Sequence, residues 1–143
     1  MSFASVNYPA IIAAAVAGWL IGGMYYGALG KPWVAALGTT MEEFKARQAA
    51  MKGSAHAWLP FVLSFVADLI MAFVLAGLIG HIGVMTPRAG IITGVLVWLG
   101  FVVTTLTTNY AFGGRKYMLT VIDSGHWLAV LVVMGALLGA WAA

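Results

Sequence analysis

Residues 57–78 read AWLPFVLSFVADLIMAFVLAGL, a run in which Asp68 is the one ionisable side chain. About twenty apolar residues are what an α-helix needs to cross a hydrocarbon core ~30 Å thick. At 1.5 Å per residue, Asp68 falls roughly 16 Å into the run, near the midplane. Ser64 precedes it by one turn on the same face. An acid at that depth is costly, turns toward a bundle interior and marks a candidate functional site.

Three further runs of this kind, at about 9–29, 89–108 and 117–142, share the 143-residue chain. Of all residues 63% are hydrophobic and 8% charged, whereas about a quarter of a soluble domain is charged. The reading is an all-α integral membrane protein, a four-helix transmembrane bundle forming one domain over 1–143, with the lipid bilayer as its first partner. The formal net charge of +3 comes from basic residues spread over short stretches between the runs, which excludes a nucleic-acid footprint. With no cysteine in the chain, disulfide and thiolate chemistry are excluded too.

The first run reads as a retained helix, not a secretory signal: residues 1–8 hold no Lys or Arg, and its end is bulky Met24, Tyr25 and Tyr26. Ala14, Gly18 and Gly22 are spaced by four, and Gly23 and Gly27 form a second such pair on another face. Gly135 and Gly139 repeat the spacing in the fourth run. Small residues so placed let a neighbouring backbone approach closely, either inside one bundle or in a homo-oligomer or larger membrane complex.

Gly30-Lys31-Pro32-Trp33 combines a breaker, a cation and an interfacial indole and is expected to end the first helix. Thr40-Met41-Glu42-Glu43 then fits a capping box. Met41, Phe44, Gln48 and Met51 share one side of the helix it opens, with Glu43 and Arg47 paired on the other and Gly53 as the stop. A short amphipathic helix on the cytoplasmic membrane surface is predicted. The second and third runs are joined by a turn of about ten residues around Gly80 to Arg88, so they are antiparallel neighbours.

Lys31, Lys45, Arg47, Lys52, Arg115 and Lys116 flank the first and third loops, against Arg88 alone near the second. The positive-inside rule puts those two loops in the cytoplasm and both termini outside. Tyr25, Tyr26, Ser64, Asp68, Thr104, Thr107, Thr108, Asp123 and His126 then fall at the midplane or in the cytoplasmic half. The threonines either bond their own helix or line a polar pocket. Asp123-Ser124-Gly125-His126-Trp127 sets an acid and an imidazole on one helix face. His126 is expected across from Asp68 in the interior, with Asp123 nearer the mouth beside Arg115 and Lys116. Such a site either fixes helix register by hydrogen bonds or binds or conducts a proton or small polar solute.

No nucleophile elbow, phosphate loop or His-Glu-x-x-His motif occurs, so a non-enzymatic protein is expected. His56, His81 and His126 lie at different depths, which argues against a three-histidine metal site. No cofactor is indicated.

These residues resemble a family of small bacterial membrane proteins grouped as domain of unknown function 1761. The likeness runs through Gly23-Met-Tyr-Tyr-Gly27, Gly30-Lys-Pro-Trp33, the Asp68 helix, Gly100-Phe-Val-Val-Thr104, and Ile122-Asp-Ser-Gly-His-Trp-Leu128 with Met134-Gly135. Tyr25 stands where the family often has tryptophan. The resemblance implies a four-helix protein of the bacterial inner membrane and supplies no activity.

Overall fold

The first helix, α1 (Tyr8–Ala36), opens with Asn7 as N-cap, its side chain accepting the Ala10 amide at 3.1 Å. Pro9 occupies the first turn, where no intrahelical donor is lost. The structure is a computed structural model describing residues 7–141; Ala142, the expected end of the fourth span, and both chain termini lie outside the described residues. After α1 come α2 (Met41–Met51), α3 (Ala55–Ile82), α4 (Pro87–Val97), a π-helical turn (Trp98–Val102), α5 (Val103–Phe112) and α6 (Tyr117–Trp141). No strand occurs among the described residues. Among the described residues four helices are long and apolar enough to cross a membrane: α1, α3, the rod Pro87–Phe112, and α6.

Helix α1 does not end at Gly30-Lys31-Pro32-Trp33, contrary to the sequence expectation. It runs through Pro32 to Ala36. Proline forfeits one backbone bond in a helix interior, but the added turn buries Val34 and Ala36 and swings Trp33 onto α6. The stop comes at Gly38, whose φ of +82° suits glycine.

The turn between α3 and the next rod is shorter than expected. Helix α3 persists to Ile82, is closed by Gly83 at φ +77°, and Thr86 caps α4 by accepting the Ala89 amide. The rod also extends past Thr108 to Phe112.

Helix α2 carries the predicted capping box. The Thr40 hydroxyl accepts the Glu43 amide, and the Glu43 carboxylate accepts the Thr40 amide, both at 3.2 Å. Hydrogen bonds from Thr39 and Thr40 hold the Glu43 carboxyl below its usual range. Arg47 does not pair with Glu43 directly: it donates to the Thr39 hydroxyl at 2.7 Å, which donates to Glu43 at 2.6 Å. None of its residues is buried. Phe44, set edge-on to Trp33 at 5.7 Å, ties the helix to the bundle.

Helix α6 is the hub, packing against α1, α3, α4 and α5. Val130, Leu131, Met134 and Leu138 meet Ala10, Ile11, Ala14, Ala15, Ala72, Leu75 and Ile79 in the main core. On its other side Gly135 and Gly90 pack backbone to backbone, Gly139 meets the Thr86 carbonyl, and Gly94 meets the Leu131 carbonyl. Two small-x-x-x-small ladders thus interlock, the geometry that lets helices approach without side chains between them. The outer surface is apolar: Met24, Ile70, Leu96 and Phe101 are all well exposed.

Candidate polar site in the bundle interior

Ranked by depth from the end that carries the α5–α6 loop, three ionisable side chains step into the bundle. Asp123 lies about 9 Å along α6, His126 about 14 Å, and Asp68 about 20 Å along α3, counting 1.5 Å per residue. All three are buried.

Asp123 is held by three neutral donors. Its Oδ1 accepts the Tyr26 hydroxyl at 2.8 Å and the Trp33 indole at 3.0 Å, and its Oδ2 accepts the Tyr110 hydroxyl at 2.8 Å. Tyr26 and Trp33 are seven apart, two helical turns, so one face of α1 presents both. Helices α1 and α5 do not pack against each other; Asp123 is where their side chains meet. Arg115 and Lys116 were expected beside this carboxylate. Lys116 instead donates to the Ala35 carbonyl at 2.8 Å, and no ion pair to Asp123 occurs among the described residues.

His126, one turn deeper, lies among rings. Tyr25, Tyr26 and Trp127 have centroids 5.6, 4.9 and 4.6 Å from the imidazole. Gly22 of α1 lies against its Nε2, where an added Cβ would stand 3.1 Å away. Gly125 likewise admits the Tyr25 hydroxyl. The Nδ1 atom is buried with no hydrogen-bond partner.

Asp68 lies against the next turn of the same α1 face. A Cβ at Gly18 would stand 3.5 Å from its Oδ1, 3.1 Å from Val130 Cγ1 and within contact of Met134 Cε. That Oδ1 is buried and has no hydrogen-bond partner. The structure therefore gathers Asp68, His126, Tyr25, Tyr26 and Asp123 along the seam of α1, α3 and α6. Asp68 and His126 back onto adjacent turns of one glycine face, without a hydrogen bond between them.

The other sequence candidates lie elsewhere. Ser64 donates to the Phe61 carbonyl and accepts the Trp19 indole at 3.1 Å, pinning α1 to α3 near the surface. Thr104, Thr107 and Thr108 are exposed and donate to carbonyls four residues back. With Thr105 and Asn109, Thr104 and Thr108 line a shallow open depression on α5, away from Asp68. Gly18, Gly22, Gly135 and Gly139 are spent inside the bundle, whereas Gly23 and Gly27 face open space.

Sequence reasoning missed Trp33 and Tyr110 as carboxylate donors, and Trp98, which donates to the Ser124 carbonyl at 2.7 Å from within the π-helical turn. The Tyr26–Trp33 spacing was the one available signal.

Four helices long and apolar enough to cross a membrane, around a seam of buried acids and imidazole with half-buried phenols, define an all-helical protein among the described residues. The chain belongs to the family described as protein of unknown function (DUF1761), whose model matches residues 9–139. No curated protein and no solved structure matches it.

Proposed function

We propose that this chain is a non-enzymatic multi-pass protein of the bacterial cytoplasmic membrane whose interior site at Asp68 and His126 binds or conducts a proton or small polar solute. The apolar exterior supports insertion, since an exposed apolar surface of this extent is untenable in water. Six of the seven basic side chains flank the end bearing α2, which supports a cytoplasmic location for that end and an external one for the termini. Helix α2 then lies at the cytoplasmic surface.

One observation carries the functional reading. Asp68 Oδ1, against Gly18, and His126 Nδ1, on the ring whose Nε2 faces Gly22 one turn along, are both buried and without a hydrogen-bond partner among the described residues. Helix-to-helix glue would use these atoms; here glue is supplied by Asp123 and by the glycine ladders instead. A buried polar atom left open costs about 1–3 kcal/mol, a cost accounted for if the site takes up a ligand. The test is reconstitution into liposomes enclosing a pH-sensitive dye. An Asp68-dependent response to an imposed proton gradient supports the reading, and identical traces for wild type, Asp68→Asn and His126→Gln remove proton conduction.

A second reading, a structural subunit docking on a copy of itself or on a larger membrane complex, is favoured by Gly23 and Gly27, which meet nothing within 4 Å beside exposed Met24. Loss of a copurifying partner in Gly23→Leu or Gly27→Leu, with the Asp68 variant intact, would select it.

A further inference from the structure

The two interior carboxyls have opposite surroundings. Asp123 accepts three hydrogen bonds from Tyr26, Trp33 and Tyr110, all donors and none an acceptor in those bonds. Both of its oxygens are therefore satisfied by hydrogen bonds. Around Asp68 the picture is inverted. Its own helix presents Ala72 and Leu75 on the same face, α1 presents Gly18, and α6 presents Val130 and Met134. No donor among the described residues reaches its Oδ1.

An unpaired carboxylate in such walls is not sustained, because an isolated buried charge costs far more than a buried neutral acid. A metal ion is a poor substitute, since hard cations take six or more oxygen ligands and the contacts at Gly18 are carbon. A larger solute would need the space that Val130 and Met134 fill, where a single added Cβ at Gly18 already collides with Met134. Resting on the interior-site reading above, we infer that the ligand of this site is a proton carried by Asp68 as a neutral carboxylic acid.

The titratable neighbours are few. From α6, His126 stands one α1 turn away, with Asp123 beyond it. From α1, Tyr25 and Tyr26 surround His126 rather than Asp68. From α4, Arg88 is in the first turn, and α2 has its charges outside the bundle. His126 is therefore the titratable group on the adjoining turn of that glycine face, with its Nε2 against Gly22.

A protonated acid in an apolar wall has a chemical signature. A lipophilic carbodiimide such as dicyclohexylcarbodiimide takes the O–H of the acid across one of its C=N bonds. The carboxyl oxygen bonds to the central carbon and the proton goes to nitrogen. Acyl migration from oxygen to nitrogen then gives a stable N-acylurea, with nothing oxidised or reduced. Water-exposed Glu42 and Glu43 and the donor-held Asp123 are not expected to accumulate it.

The experiment treats the full chain in liposomes with dicyclohexylcarbodiimide over a pH series and locates the adduct by peptide mass spectrometry. The expected result is one adduct at Asp68, forming more slowly as pH rises, retained at the same position in Asp68→Glu and lost in Asp68→Asn. An adduct at Asp123 in place of Asp68, or at neither, overturns the inference. The two claims separate cleanly. Asp68 labelling without Asp68-dependent dye response upholds the neutral acid and fells the conduction reading. Asp68-dependent flux in a wild-type protein that is never labelled does the reverse.

Discussion

Trp33 donates its indole N–H to Asp123 at 3.0 Å, across 90 residues of sequence and from the position directly after a helix-interior proline. The bond explains why α1 continues through Pro32. The lost backbone bond is offset by one donor delivered to a buried carboxyl group and by the burial of Val34 and Ala36 in the same turn. It also links α2 to the interior, because Phe44 rests edge-on against the same indole.

Removing the acceptor is therefore expected to be severe. Asp123→Ala strands three half-buried donors, and at about 1 kcal/mol each the loss is expected to be about 3 kcal/mol. Tyr110→Phe removes one donor and is expected to cost about 1 kcal/mol. Thermal unfolding in detergent, followed by circular dichroism, checks the ranking; equal losses for the two variants would contradict the three-donor geometry.

The glycine ladders make a sharp contrast. Gly90→Leu or Gly135→Leu drives a side chain into facing backbone, where even a Cβ would overlap the partner carbonyl. Neither helix can yield without opening the bundle, so both variants are expected to aggregate or elute as unfolded material on gel filtration. Gly23→Leu and Gly27→Leu meet open space and are expected to leave the folded monomer intact, with a slight gain from helix propensity of up to about 1 kcal/mol.

These two outcomes also show what a sequence conveys here. Helix number, the Thr40 capping box and the inward turn of Asp68 are legible because local composition and cost decide them. The passage of α1 through Pro32 is not, since only contacts with α6 distant in the chain make it favourable. Gly90 and Gly94 carry the same spacing as Gly135 and Gly139 and were readable by that signal. The π-helical turn at Trp98–Val102 has no local signature; it coincides with the bond from Trp98 to Ser124 on the neighbouring helix. The threonine stripe of α5 was ambiguous by nature, because a hydroxyl that bonds its own helix can face either way.

At the surface, the capping box of α2 predicts a pH response. Glu43 has its carboxyl held below the usual range by the Thr39 and Thr40 bonds. Its contribution is present above the ordinary glutamate value and is lost as pH falls through the lower folded value. Amide exchange at Met41 to Phe44, taken relative to the intrinsic rate at each pH, is expected to quicken under acid in the wild type. In Thr40→Ala it is already fast at neutral pH, whereas the amides of α6 are unchanged in both. No acid-dependent change in the wild type would contradict the role given to Glu43.

Gly22→Ala separates a functional interior from a merely structural one. The new methyl would stand 3.1 Å from His126 Nε2, close enough to push the imidazole by a few tenths of an ångström without touching backbone. Replacing glycine by alanine in a helix gains up to about 1 kcal/mol, and the crowding returns a similar amount, so stability is expected to be nearly unchanged. The distance from His126 to Asp68, by contrast, is altered. If the pair exchanges a proton, the dye response in liposomes changes at constant melting temperature, and Gly18→Ala, which crowds Met134 and Val130 beside Asp68, does the same with some loss of stability. If the pair is inert packing, the dye signal is the same in all three proteins, and the melting temperatures alone differ.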